Sequence, residues 1–160
     1  MNLNLEVFIV HLLADRVRYR RCELPLAGSD LAPDRVVRDL VEGRLPESPL
    51  HTDRYLSHST SWRYEASGVV LTYLVCIDGG TPAGDGWHEL RADDFALAAG
   101  DDPRQPGPAH VDERQVLSHG IRHLAFLWHT AEGAALRRCI PAEAAALMTR
   151  AAPATAGQIN

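Results

Sequence analysis

The stretch that decides the fold is Gly68–Asp78, GVVLTYLVCID. It is apolar at odd and even positions alike, so a strand built from it is covered on both faces and belongs inside a sheet. The segment before it, Tyr55–Glu65 (YLSHSTSWRYE), is more polar, and Ala66-Ser67-Gly68 turns one into the other as a β-hairpin. A two-residue period predicts Leu56, His58, Thr60, Trp62 and Tyr64 on one face of that first strand. Ser57, Ser59, Ser61, Arg63 and Glu65 then take the other.

Working outward toward the N-terminus, Leu3–Leu13 (LNLEVFIVHLL) reads as a strand rich in β-branched and large apolar residues. Ala14-Asp15 turns it into Arg16–Leu24 (RVRYRRCEL), which alternates: Val17 and Tyr19 oppose Arg16, Arg18 and Arg20. This is a second hairpin. Pro25–Ser29 reads as a turn. Between the hairpins, Pro33–Gly43 reads as a short helix, entered at Asp30 or the Ala32-Pro33 step. It carries a Val36, Val37, Leu40, Val41 stripe and stops at Gly43.

Toward the C-terminus, Gly79–Gly107 reads as a long, turn-rich loop with acids at Asp93-Asp94 and Asp101-Asp102 and a short strand near Trp87–Leu90. Val111–Trp128 is the strongest helix, with Val116, Leu117, Ile121, Leu124, Leu127 and Trp128 on its apolar face. Pro141–Ala151 is a second helix. The expected fold is α+β: two antiparallel hairpins form a curved sheet, the 111–128 helix packs on one face and the 141–151 helix closes an end. Residues 1–152 form one domain and 153–160 a flexible tail.

Composition excludes several function classes. Sixteen basic residues face 21 acidic ones for a formal charge of -5, which argues against general nucleic-acid binding. All sixteen are Arg, so lysine Schiff bases, a Walker lysine and a lysine general base are ruled out. The start lacks the basic, apolar pattern of a secretory leader, and no apolar run reaches the roughly 18 residues of a membrane span. A cytoplasmic protein is therefore expected. Cys22, Cys76 and Cys139 form no CxxC and read as structural. Trp62, Trp87 and Trp128 read as core or seam residues rather than a stacking platform.

Two constellations carry chemistry. His119 and His123 are four apart on one helix face, and His58 from the hairpin completes a candidate three-histidine zinc site. The residue after His119 is Gly120, where a metalloprotease helix would carry Glu. The second constellation is an anion-binding surface of Arg16, Arg18, His58, Ser59, Ser61 and Arg63, since a guanidinium matches phosphate or carboxylate at two points. The plainer reading is a solvated face whose arginines pair with Glu6, Glu23 and Glu65 across strands. A Ser–His–Asp triad lacks its GxSxG elbow, and no GxGxxG or P-loop is present.

The runs HSTSWRYE (58–65), VVLTYL (69–74) and VLSHGIRHLAFLW (116–128) resemble a small uncharacterised bacterial family labelled Nudix-like, a likeness spanning about residues 3–130. The resemblance implies a mixed sheet between helices. The glutamate-rich Nudix box that holds Mg²⁺ is missing: the main helix offers Glu113 and Arg114 but no Arg-Glu…Glu-Glu cluster. Standard Nudix hydrolysis is therefore not expected, and no Nudix catalytic residue carries over. Three functions follow as expectations. The first is a Nudix-like domain binding a small anionic or phosphorylated ligand where Arg16 or Arg18, Arg63 and His58 converge. The second is a zinc-dependent hydrolase using His58, His119 and His123. The third is a structural or interaction protein forming a homodimer.

Overall fold

The computed structural model describes residues 2–26, 32–66, 68–80, 83–98, 110–130 and 133–153. Five strands form one open sheet: β1 (Leu3–Leu12), β2 (Arg16–Leu26), β3 (Tyr55–Glu65), β4 (Gly68–Ile77) and β5 (His88–Arg91). Their spatial order is β3-β4-β1-β2-β5. The two hairpins are β1–β2 and β3–β4, joined by a parallel β1–β4 ladder. The fold is α+β with a mixed sheet, and the twice-covered Gly68–Ile77 strand is interior as its pattern predicts.

Helix α1 (Pro33–Val41) carries the return from β2 to the second hairpin, with Pro33 in its first turn. Gly43, at φ 75°, ends the segment in a left-handed conformation. Helix α2 (Glu113–Trp128) begins two residues later than the apolar pattern predicts, because Asp112 caps it. The Asp112 carboxylate accepts from the Gln115 N–H at 2.9 Å, and the Gln115 side-chain oxygen accepts from the Asp112 N–H at 3.0 Å. The expected 141–151 helix is split: a 3₁₀ turn over Ala142–Ala144 follows Pro141 and runs into α4 (Ala145–Arg150). A short α3 (Ala134–Cys139) precedes it. The tail beyond 153 and Asp101-Asp102 lie outside the described residues, as does Asp30.

The strand register sorts side chains into two cores. Leu5, Val7 and Ile9 of β1 pack with Leu24, Tyr73, Val75 and Ile77 beneath Val37, Leu40 and Val41 of α1. Phe8, Val10 and Leu12 pack with Val17, Tyr19, Leu74 and Cys76 beneath α2, α3 and α4. The sheet is thus a filling between helices on both faces. β2 runs on through Pro25, which was expected in a turn. β5 pairs only with Arg16–Tyr19, so the missing N–H of Pro25 faces an unpaired edge and breaks no ladder bond.

Two features depart from simple alternation. On β3 the pairing jumps from Ser59–Tyr73 to Ser61–Thr72, leaving Thr60 as an extra, bulged residue. The bulge reverses every side chain after it. Leu56 and His58 therefore share the α2 face with Ser61, Arg63 and Glu65, while Trp62 and Tyr64 share the α1 face with Ser57 and Ser59. The predicted grouping of His58 with Trp62 and Tyr64 is corrected accordingly. Trp62 is not a core residue: it is 52% exposed, and Tyr64 is 73% exposed.

The other departure is Glu6, a carboxylate in the central strand that is only 1% exposed. Arg21 from β2 donates to one of its oxygens at 2.8 Å, and Arg63 from β3 donates to the other at 2.6 Å. The Thr72 hydroxyl of β4 adds a donor at 3.1 Å. Removing one partner of a buried ion pair strands a charge, which costs about 3–5 kcal/mol. Glu6→Gln is expected to lower stability by about 3 kcal/mol, read as a drop in the urea midpoint with an unchanged slope.

Candidate functional site

The bulge and α2 together build a histidine seam. Thr60 and Ser61 are consecutive and both buried, which a regular strand does not allow on one side. α2 crosses over them at Gly120, where a Cβ would meet Leu74 and Thr60 at ordinary contact distance, 3.5–3.6 Å, so the packing does not require a glycine. One turn further along, His123 meets His58. Their Nε2 atoms are 3.0 Å apart, and the rings stack at 5.0 Å with a 19° interplanar angle. Phe126 also stacks with His123, at 6.3 Å between ring centroids. An N···N hydrogen bond needs one ring protonated at Nε2 and the other bare there, so the pair shares one proton.

His119 lies one helical turn back, 5% exposed. Its ring bonds the Thr60 backbone, while its Nε2 has no partner. Ser61 Oγ, in the same α2–β3 seam, is likewise buried and unpaired. Burial, reinforced by the nearby His123, pushes His58 below the usual histidine range. Burial pushes His119 down as well, with help from His123 and Arg122 and against the Thr60 bond. Among the described residues, no group of three or more His, Cys, Asp or Glu side chains gathers closely enough to hold a metal ion. His58 and His123 come together as the zinc reading requires. His119 turns its ring to the Thr60 backbone instead.

The expected arginine surface divides between the two faces of the sheet. Arg16 and Arg18 lie opposite Val17 and Tyr19, on the α1 side, with Ser59. His58, Ser61 and Arg63 lie on the α2 side. Arg16 is engaged by Asp15 at 2.8 Å and Glu89 at 3.0 Å. The arginine that does approach Arg63 is Arg21, which pairs across the ladder with Phe8 and so faces α2.

Arg21 and Arg63 form a chain of alternating charge across four strands: Glu23, Arg21, Glu6, Arg63, Glu65. Arg21 joins Glu6 to Glu23. Arg63 joins Glu6 to Glu65, the latter at 2.8 Å. Burial works against the Arg63 charge, but the Glu6 and Glu65 carboxylates outweigh it and hold the guanidinium above its ordinary value. Beside this chain an open groove of about 320 Å³ is lined by Asn4, Glu6, Glu23, Arg63, Glu65 and Val70, among others. Glu23 and Glu65 stand exposed at the chain's two ends, their side chains 65% and 45% accessible.

Sequence reasoning named Glu6, Glu23 and Glu65 only as ordinary partners of surface arginines, and missed Arg21 and Thr72. One signal was available: Glu6 interrupts the run LNLEVFIV, and a lone carboxylate in a central strand must be paired. Of the cysteines, Cys76 is buried as expected, with burial and Cys139 pushing its thiol up to about 12, whereas Cys139 is exposed.

No family model matches the chain, and no curated protein and no solved structure matches it either. The Nudix-like resemblance therefore stands on the three quoted segments alone.

Proposed function

We propose that this chain is a Nudix-like domain without Nudix catalysis that binds a small dipolar molecule in the groove beside Arg63. The ligand carries an anionic group, carboxylate or phosphate, together with an amine. The observation that carries this reading is the alternating charge chain bordering a groove of about 320 Å³, a volume in the range of small-molecule sites. A purely anionic ligand meets three lining carboxylates there, Glu6, Glu23 and Glu65, against one lining guanidinium, Arg63. A dipolar one sets its anionic end against Arg63 and its amine against Glu65 or Glu23. The layering, a mixed sheet between helices, is what the Nudix-like resemblance implies and supports that part of the reading.

The test is an NMR titration with L-serine as the dipolar probe and with acetate, methylammonium and inorganic phosphate as single-charge probes. L-Serine is expected to shift groove amides and to bind about tenfold tighter than any of the others, a difference of about 1.4 kcal/mol. Glu65→Gln, an exposed position, is expected to weaken L-serine without lowering stability. Equal or tighter binding of phosphate or acetate contradicts the dipolar ligand, and unmoved groove amides contradict the site.

A specific observation favours a second reading, a homodimer. β3 is an eleven-residue edge strand, and exposed Trp62 and Tyr64 meet edge to face on it at 5.4 Å. Such an edge is a template for strand pairing with a second copy. Sedimentation equilibrium is expected to give a dimer at micromolar concentration, and Trp62→Ser with Tyr64→Ser a monomer. A wild-type monomer eliminates this reading.

A further inference from the structure

We infer that Glu65 is the specificity-determining residue of the groove beside Arg63. In the free protein its carboxylate occupies the edge of the Arg63 guanidinium that a ligand's anionic group would take, and a ligand carrying an amine displaces it most easily. This role of Glu65 rests on the dipolar reading of the groove and explains how a simple anion is turned away.

The guanidinium of Arg63 is planar and binds a carboxylate or phosphate at two points only along an edge. Its Nη1 is committed inward, 2.6 Å from Glu6 and 3.2 Å from the Thr72 hydroxyl. The end-on edge needs that same Nη1. The side edge, Nε and Nη2, is taken by Glu65: both nitrogens lie 2.8 Å from one oxygen of its carboxylate. Arg63 therefore has no open edge for a second anion while Glu65 stays in place.

The two carboxylates on Arg63 differ in how readily they yield. Glu6 is 1% exposed and also accepts from Arg21 and Thr72, so it stays. Glu65 is the last residue of β3, and its side chain is exposed. Its partner across the ladder is Gly68, which has no side chain to hold it. Glu65 can turn into solvent without disturbing the sheet.

A count of ion pairs then separates the ligands. Acetate that takes the side edge makes one pair with Arg63 and breaks one, leaving Glu65 beside a second carboxylate, where like charges repel. An amino acid makes the same exchange, but its ammonium pairs with the displaced Glu65, so two ion pairs replace one. Glu23 does not play this part. It bonds Arg21, and Arg21 is not among the residues that line the groove.

The experiment is an NMR titration of the full chain with L-serine, acetate and inorganic phosphate, in wild type, Glu65→Gln and Glu47→Gln. Glu65→Gln is expected to tighten acetate and phosphate by about fivefold, because the edge no longer holds a competing carboxylate. The advantage of L-serine over acetate is expected to disappear in the same variant. Glu47 is an exposed carboxylate that does not line the groove, and Glu47→Gln removes the same charge. It is expected to leave acetate binding at the wild-type value. Acetate no tighter in Glu65→Gln than in wild type overturns the role of Glu65, as does an equal gain in Glu47→Gln. If wild type still prefers L-serine in either case, the dipolar reading stands and only the role of Glu65 falls. Groove amides unmoved by all three probes in wild type and in Glu65→Gln overturn both.

Discussion

The structure depends on one carboxylate. Glu6 sits in the middle strand of the sheet, and the groups that neutralise it arrive from both hairpins: Arg21 from the first, Arg63 and Thr72 from the second. A charge in that position fixes register more strictly than apolar packing does. Sliding β1 by one residue turns Glu6 into the α1 core, where Leu5, Val7 and Ile9 now sit. The parallel β1–β4 ladder joins the hairpins through backbone bonds. The Glu6 cluster makes that joint specific, because only the observed alignment brings both guanidinium groups to one carboxylate.

The same face of the sheet holds two polar devices at different depths. Near Arg63 the charges alternate within the fold, three carboxylates to two guanidinium groups, and the groove beside them opens to solvent. Near His58 the polar atoms are packed shut, and two of them lack partners. The bulge at Thr60 separates the two. Without it Arg63 points toward α1 while His58 points toward α2, and Glu6 loses its second partner. One extra residue in an edge strand therefore sets both the ion cluster and the exposure of Trp62 and Tyr64.

Much of the fold was legible in the sequence, for physical reasons that can be named. The strands from Leu3 and Gly68 show continuous apolar runs, and helix 113–128 shows a broad apolar stripe; both signals come from burial, which composition records directly. The i, i+4 spacing placed His119 and His123 on one helix face, but nothing in the sequence showed that His58 reaches them, because that contact depends on how α2 docks on the sheet. The bulge was not. Its local sequence, Ser59-Thr60-Ser61, carries no glycine or proline to mark it, and an uninterrupted period-two reading places Arg63 on the wrong face. That single error assigned Arg63 to the arginines of β2 facing α1 and hid that it shares Glu6 with Arg21. The split of the last helix at Pro141 and the delayed start of α2 at Asp112 are smaller cases, in which capping chemistry overrides the apolar pattern.

The central claim is that Glu6 and Arg63 act as a unit across the hairpins. A double-mutant cycle of Glu6→Met, Arg63→Met and the pair, followed by urea unfolding, tests it most directly. Each single variant breaks a buried ion pair while leaving Glu6 with Arg21 or Arg63 with Glu65, and is expected to cost about 3 kcal/mol, whereas the apolar pair is expected to cost far less than the sum, since replacing both ions can be close to neutral. Arg21 retains Glu23 and Glu113 as partners in every variant. Additive losses, with the double variant as unstable as the two singles combined, would show that the two side chains do not depend on one another and would contradict the account.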